Sequence, residues 1–424
     1  MNSITSPWAC PLPMDTPERP WSSGGSVRDT IAKHAHILFF RQGTFSHIND
    51  RVAGWLREQF PDVEVVEIDI LQDVIKTSPT VVYRGGAMAL ITYLQRILSG
   101  SHDLRDIYYR TPFLFHAIRR MVARKYSDFI PTSLFSIQTQ SLYDASIDGL
   151  PHFLYTDHTH LANLRYPGVR RTQLFSSQWI KLESALYHRV RANLVMSSFV
   201  RDSLIEDYAC DPSRVSIVGA APNLPPPASL PDNAEYSNRT ILFVCTDWER
   251  KGGPLLIEAF RTVLKRIPDA RLIIAGCSPG VQAPNVEILG RVPLPEVSRL
   301  LLGSSVLALP SRREPQGINA IEALMHGIPV VATSVGALPE AIEDGKTGRI
   351  IAPGDTEALS SSLIDLLSNP ALCRRYGEAA RERALARYSA PVVSKRMGDA
   401  IRGSLGIACD GSNAQHGSNG KHEI

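Results

Sequence analysis

The sequence predicts an α/β fold: two doubly wound, Rossmann-like domains facing each other across a cleft. Three observations carry this expectation. Apolar runs of about five residues alternate with helix-length amphipathic segments through both halves of the chain, the pattern of parallel sheets covered on both faces. A Pro-rich stretch over 221–239, holding five prolines, separates parts of similar length. At 424 residues the chain also has material for two cores, at roughly 100–200 residues per domain.

The elements follow in order. Residues 36–40 (HILFF) form a strand-sized run, followed by a Gly-containing turn, a helical pattern over 47–60 and a strand over 63–68. Further strands are expected at 133–138, 153–156 and 194–197, with helices around 87–99, 113–126 and 172–190. Proline fixes φ and removes a backbone donor, so 221–239 can be neither helix interior nor central strand and reads as a linker. Beyond it the alternation is cleaner. Strands are expected at 240–245, 271–275, 286–289, 306–310, 330–332 and 348–351. Helices are expected at 254–266, 294–302, 317–326, 336–342 and 356–367, with Gly327 as the stop signal of the third. Residues 1–34 and 407–424 lack periodicity and read as disordered tails. The N-terminal domain is therefore expected over 35–220 and the C-terminal domain over 240–389, with a last helix over 390–406.

Composition narrows the classes. With 45 Lys+Arg against 42 Asp+Glu, a net charge of +3 is too small to indicate a nucleic-acid binder. No apolar run approaches the roughly 18 residues of a membrane span, and the N-terminus lacks the basic and apolar regions of a signal peptide. A cytoplasmic protein is expected. The six cysteines are scattered without metal-ligand spacing. Neither G-x-G-x-x-G after a strand nor G-x-x-x-x-G-K-[ST] occurs, which argues against nicotinamide-dependent and P-loop chemistry.

The most informative segment is SRREPQGINAIEALMHG, 311–327. Glu314 falls in the loop after a strand and Glu322 in the following helix, with seven residues between them. Gly317 stands at the helix start, where unpaired N–H groups and the helix dipole favour an anion. Carboxylates suit what hangs from that anion, because each accepts hydrogen bonds from two vicinal hydroxyls. A diphosphate flanked by sugars satisfies the pattern. The spacing alone favours the plainer reading, a helix N-terminal carboxylate at Glu314 and a solvated one at Glu322.

The wider context of the motif resembles the retaining GT-B glycosyltransferases of the GT4 family, whose hallmark is E-x7-E in this setting. The resemblance covers most of 193–388. It includes ANLVMSSFVRDSLIEDYACDPSRVSIVGAAPN, FVCTDWERKGGPLLIEAF, IIAGCSPG and VEILGRVPLPEVSRLL. SSVLALPSRREPQGINAIEALMHGIPVVATSVGALPEAIEDGKTGRIIAPGD completes it, all in family order. The resemblance implies transfer of a hexose-type sugar from a UDP- or GDP-linked donor held by the C-terminal domain to an acceptor bound by the N-terminal domain, with the last helix crossing back to the first domain and no cofactor or metal required. Glu314 would contact hydroxyls of the transferred sugar and Glu322 the ribose. Gly317, Ile318 and Asn319 would present backbone N–H groups to sugar and phosphate. Backbone near Arg291 and Val292 would receive the base, and Lys251 would neutralise the diphosphate.

One departure stands out. The family pattern has an Arg six residues before this Lys; Cys245 holds that place here, and Arg250 is the nearby substitute. In the N-terminal half, YTDHTH at 155–160 closes a strand expected to face the cleft, where family members carry a His near the donor sugar. Asp157, His158 and His160 are all candidates, and strand alternation would put the two histidines on one face. With no third ligand, a metal site is not expected there. The loop after the first strand, 41–47, holds a single glycine, Gly43, where the family has glycines near the phosphates. Asp247-Trp248-Glu249 imitates a metal-binding D-x-D and reads as a loop. Residues 112–126 mix apolar side chains with Arg119, Arg120, Arg124 and Lys125. They suit either an anionic membrane surface bearing a lipid-linked acceptor or a core-facing helix with a solvated basic face. Two other readings stay open: a catalytically silent binding subunit, and a GT-B epimerase or phosphorylase.

Overall fold

The computed structural model describes residues 35–43, 45, 47–98, 104–230 and 236–407. The predicted tails lie outside the described residues, except that Ile407 is ordered and buried.

Six strands make the first sheet: β1 (His36–Arg41), β2 (Glu64–Asp69), β3 (Ser133–Thr139), β4 (His152–Thr156), β5 (Ala192–Val195) and β6 (Val215–Ile217). Their order is β2-β1-β3-β4-β5-β6, and every neighbouring pair is parallel. All seven residues of β3 are buried, as a central strand covered on both faces requires. Its helices are α1 (Ile48–Gln59), α2 (Pro79–Leu98), α3 (Leu104–Tyr109), α4 (Pro112–Lys125), α5 (Ser177–Arg189) and α6 (Ser198–Glu206). α1 lays Val52, Trp55 and Leu56 on Ile37 and Phe39, while α4 lays Leu114, Ile118 and Val122 on Leu38 and Phe40 from the other face. Thr111 caps α4 by accepting the Leu114 N–H, with Pro112 in the first turn where its missing donor costs nothing.

The second sheet contains β7 (Thr240–Val244), β8 (Arg271–Ala275), β9 (Val286–Gly290), β10 (Val306–Leu309), β11 (Val330–Thr333) and β12 (Gly348–Ile351). Its order, β12-β11-β10-β7-β8-β9, is again wholly parallel. The helices are α7 (Gly253–Arg266), α8 (Leu294–Leu302), α9 (Ile318–Met325), α10 (Leu338–Ala341), α11 (Thr356–Ser368), α12 (Pro370–Tyr388) and α13 (Ala390–Leu405). Strand order reverses between β1 and β3 in one sheet and between β7 and β10 in the other. Open α/β sheets bind ligands outside the carboxyl ends of their strands at that reversal.

The two halves touch through specific side chains. Tyr166, in the loop after β4, is buried in the second domain's core, and Ile318 packs against both cores. At the start of α6, Ser198 gives its N–H and hydroxyl to Glu340 of α10 at 2.8 and 2.7 Å. α13 returns to α1, where Val393, Met397, Ile401 and Leu405 complete the first domain's apolar core. Arg402 also donates to Gln59 there at 3.0 Å.

Several expectations change. The Pro-rich stretch is docked rather than free: Ala221 is buried in the first core, while Leu224 and Tyr236 are buried in the second. α4 turns its apolar residues inward, so 112–126 form a core-facing helix with a basic outer face. β4 ends at Thr156, so 157–160 are loop and strand alternation does not govern the two histidines. Helix α2 begins well before residue 87 and runs through the Gly85–Gly86 pair, a cost in helix propensity offset by packing.

Candidate active site

At the β7/β10 reversal, two loops are forced together. Gly252, at φ 81°, lies so close to the end of β10 that a Cβ there would sit 2.0 Å from the Pro310 carbonyl oxygen. Gly336, at φ 56°, is pressed as closely on the Glu314 carbonyl, where a Cβ would fall at 1.7 Å. No side chain fits either position, and the result is that Lys251 and Glu314 meet.

Lys251 Nζ donates to Glu314 Oε2, and both side chains are buried. Glu314 also accepts the Gly317 N–H at 3.2 Å and the Ser311 hydroxyl at 3.4 Å. Gly317, at φ 76°, caps α9, and the Asn319 amide ties that helix to the end of β7 by donating to the Val244 carbonyl at 2.9 Å. Arg250 stands one residue away with Nη1 4.0 Å from Glu314 Oε2. Its other contacts are an ion pair with Asp247 at 3.2 Å and a hydrogen bond to the Arg313 carbonyl at 2.9 Å.

Glu322 sits one helical face further on and is buried. It accepts the Asn223 N–H at 2.9 Å, and burial pushes its carboxyl up to about 7. The Asn223 and Leu224 N–H groups, Arg51 and Lys251 act in the opposite sense. Arg51, from α1 of the first domain, donates to the Asn223 carbonyl. The Pro-rich stretch is thus held between the two domains at Glu322.

The loop after β4 supplies the facing wall. Burial pushes the Asp157 carboxyl up to about 6, assisted by the negative charge of Glu314 across the cleft. His158 is driven down to about 4 by burial, with the Arg110 and Arg313 guanidiniums adding to the effect. Its ring stacks on Tyr166, centroids 5.8 Å apart and planes 6° from parallel. Among the described residues its Nε2 is buried without a hydrogen-bond partner. A neutral imidazole with an unspent polar atom is suited to a ligand hydroxyl.

The remaining candidates separate. His160 turns away from the cleft: its Nε2 accepts the Phe175 N–H at 2.9 Å and its ring lies against Phe175 and Trp179. Gly43 is engaged elsewhere, giving its N–H to Asp69 at 3.3 Å and its carbonyl to the Asn49 amide at 2.7 Å. Arg291 is exposed and Val292 half-buried just past β9, at the sheet edge two strands from β7. Cys245 is buried at the end of β7 with its sulfur 2.7 Å from that of Cys277, and burial raises its thiol well above the usual range. Asp247 is paired with Arg250, and among the described residues no three His, Cys, Asp or Glu side chains gather as a metal set. Sequence reasoning missed Tyr166, Arg51 and Asn223. Each lies in a loop or on a helix of the other half, with no local motif to single it out.

Comparison with known proteins agrees with this geometry. Residues 231–383 match the family model described as glycosyl transferases group 1. An MMP alpha-(1→4)-mannosyltransferase of Mycolicibacterium hassiacum is 28% identical over 238 residues, 53% of this chain and 56% of its own. The chain spans about half the length of the curated relatives it matches. Among solved structures, sucrose-phosphate synthase from Thermosynechococcus elongatus superposes with a TM-score of 0.64 at 14% identity, over 88% of this chain and all of that one. Anabaena HepE, solved with UDP and glucose, superposes with a TM-score of 0.62 at 14% identity, over 87% of this chain and all of its own. These likenesses establish the two-domain GT-B fold, and within it residues 231–383 match the group 1 glycosyl transferases.

Proposed function

We propose that the protein is a retaining glycosyltransferase that moves a hexose-type unit from a UDP- or GDP-linked donor to a glycan, lipid-linked or small-molecule acceptor. The observation that carries this reading is the buried Lys251–Glu314 pair beside the Gly317 amide at the β7/β10 reversal, opposite Asp157 and His158. The donor diphosphate exchanges with Glu314 for Lys251 and lies at the α9 N-terminus. Glu314, released, accepts hydroxyls of the transferred sugar, and His158 Nε2 takes part in binding the same sugar. Asp157 is the second carboxyl at the reacting centre, and Glu322 receives the ribose. Arg250 adds a cation at the phosphates, Ile318 and Asn319 contribute backbone N–H groups, and the Arg291–Val292 backbone lies where the base is expected. Charge grows on the leaving diphosphate as the glycosidic bond breaks, and Lys251 with the helix N-terminus meets it without calling on a metal. The leaving phosphate takes the acceptor's proton on the same face, so no protein nucleophile is required. The names of the similar proteins, a mannosyltransferase among them and a structure holding UDP and glucose, support a nucleotide-sugar donor.

Thermal unfolding with UDP, GDP, ADP and their hexose conjugates tests the reading. A ligand at about 100-fold its Kd adds ~2.7 kcal/mol to the folded state. A shift with one nucleotide, lost in Lys251→Met, identifies the base. No shift with any of them moves the silent-subunit reading ahead, and free sugar formed without acceptor points to another GT-B reaction.

A further inference from the structure

Helix α2 is built inside out. Its inward positions are small or single: Gly85, Ala89 and Tyr93 face the protein, and a Cβ on Gly85 would come within 2.9 Å of the Tyr108 ring. Its outward positions carry the large apolar side chains. Tyr83, Leu90, Ile91, Leu94 and Leu98 fall on one stripe at helical spacing, with Ile91 74% and Leu98 78% exposed. Seven of the eight most exposed large apolar side chains among the described residues lie between Val82 and Leu104. The sixteen residues from Tyr83 to Leu98 make a ridge about 22 Å long. A contiguous apolar face of this kind marks an interaction site rather than an ordinary wetted surface.

Charge indicates what lies against it. α2 and α4 together contain six cations, Arg84, Arg96, Arg119, Arg120, Arg124 and Lys125, and no Asp or Glu, although the whole chain carries a net charge of only +3. Arg84 joins the two helices, its guanidinium 6.0 Å from the Phe113 ring at the start of α4. From Phe113 an outward stripe continues through His116, Arg120 and Arg124. Among the described residues, Arg84, Arg120 and Arg124 pair with no carboxylate, whereas Arg119 pairs with Asp144 and Asp148, and Asp148 shares with His116 and Arg120 the lining of a depression of about 420 Å³.

We propose that the α2 ridge and the α4 basic stripe together form a docking face for an anionic lipid bilayer surface. The ridge enters the headgroup–acyl boundary, and the flanking guanidiniums meet lipid phosphates. A protein partner would need matching carboxylates and a concave apolar groove. A bilayer needs only a convex apolar ridge rimmed by cations, which is what the two helices present. Tyr93, on the inward side of α2, anchors the helix by donating to the Arg110 carbonyl at 2.8 Å and stacking edge-on against Phe175. The proposal stands on surface chemistry alone and does not depend on the glycosyl-transfer reading.

Vesicle sedimentation of the full chain tests it without any activity readout. Binding is expected to vesicles containing phosphatidylglycerol, at least roughly tenfold stronger than to phosphatidylcholine alone, and to weaken as salt is raised. Ile91→Glu/Leu94→Glu is expected to abolish binding. Its melting temperature should stay unchanged, because both side chains are exposed. Arg120→Glu/Arg124→Glu is expected to keep the fold and lose the preference for anionic lipid. The proposal is overturned by no vesicle binding or by binding that survives Ile91→Glu/Leu94→Glu. It is equally overturned by a wild-type dimer in solution that this variant dissociates, or by vesicle binding that appears only once residues 1–34 are removed.

Discussion

Lys251 and Glu314 are each other's buried counter-ion: the ammonium of the β7 loop and the carboxylate of the β10 loop neutralise one another at the strand reversal. Separate loops, each locked by a glycine, hold them there. In the proposed function a donor would break this pair, its diphosphate replacing one partner and its sugar hydroxyls the other. The site is thereby kept free of an unpaired buried charge when no ligand is bound, a condition that would otherwise cost several kcal/mol.

The first prediction is a double-mutant cycle. Glu314→Gln leaves Lys251 buried without its counter-ion and should lower unfolding free energy by about 3 kcal/mol, because breaking one side of a buried pair is costly. Lys251→Met should cost a similar amount. The double variant should lose about 4 kcal/mol rather than the additive ~6, which is read as a coupling of about 2 kcal/mol in denaturant melts. Turnover should fall about 10²–10³-fold in Glu314→Gln and stay low in the double variant. Additive stability losses would mean that the two charges do not share the burial.

The pH dependence of stability separates Asp157 from His158. Asp157 is raised to about 6 in the fold, so between its unfolded value near 4 and that point the native state holds the extra proton. Its contribution therefore weakens stability as pH rises through that window. His158 is lowered to about 4, so between 4 and its unfolded value near 6.5 the unfolded state holds the extra proton, and its contribution strengthens stability as pH rises. The two slopes oppose each other in nearly the same window. Asp157→Asn should therefore make stability climb more steeply from pH 4 to 6.5, and His158→Phe should flatten or reverse the climb. Each changes the total by at most about 3 kcal/mol. His152, also buried and held at about 4, contributes equally to every variant and drops out of the comparison. Parallel stability profiles for the two variants would refute the assignment.

Cys245 stands where the family resemblance expects a phosphate-binding arginine. It is buried beside Cys277, and the charge of Lys251 opposes the rise that burial imposes on its thiol. Cys245→Arg should destabilise the unliganded protein by about 1–3 kcal/mol, since it buries a second cation next to Lys251. The same variant should show a larger melting shift with nucleoside diphosphate than wild type, because the ligand supplies the missing charge. Loss of both quantities together would mean that the thiol is needed for packing alone.

Periodicity carried far for the fold because parallel strands buried on both faces are written as plain apolar runs, as in β3 and β10. The E-x7-E spacing located Glu314 and Glu322 for the same reason: both are fixed by one local loop and one helix. What sequence could not supply was contact between distant segments. Arg51 reaches Asn223 across 172 positions, and Tyr166 enters the other domain's core from an irregular loop. The α4 segment looked amphipathic in isolation, yet tertiary packing consumed its apolar side. α2 offered two adjacent glycines and a near-uniform apolar composition, and its outward stripe became visible only once Gly85 and Ala89 were seen to face inward.

Glu322 supports the strongest test of the nucleotide site, because its carboxyl has a structural duty as well as the proposed one. It accepts the Asn223 and Leu224 N–H groups of the Pro-rich stretch, so Glu322→Ala strands buried donors and should cost about 1–3 kcal/mol of stability. Glu322→Gln keeps an acceptor oxygen and should cost little. Its carboxyl is raised to about 7 by burial, so between its unfolded value near 4.5 and that point the native state holds the extra proton. The ionised form weakens the fold as pH rises through the window, and Glu322→Gln should be relatively more stable at pH 8 than at pH 5. A ribose diol donates hydrogen bonds, and ionised Glu322 accepts them best. Nucleoside diphosphate should therefore bind up to roughly tenfold tighter at pH 8 than at pH 6 in wild type, read by calorimetry. The ligand's own phosphate titrates in the same range, but it does so equally against Glu322→Gln, and only the difference between the proteins belongs to Glu322. Identical pH profiles for both would remove Glu322 from the ribose subsite while leaving its hold on the Pro-rich stretch intact.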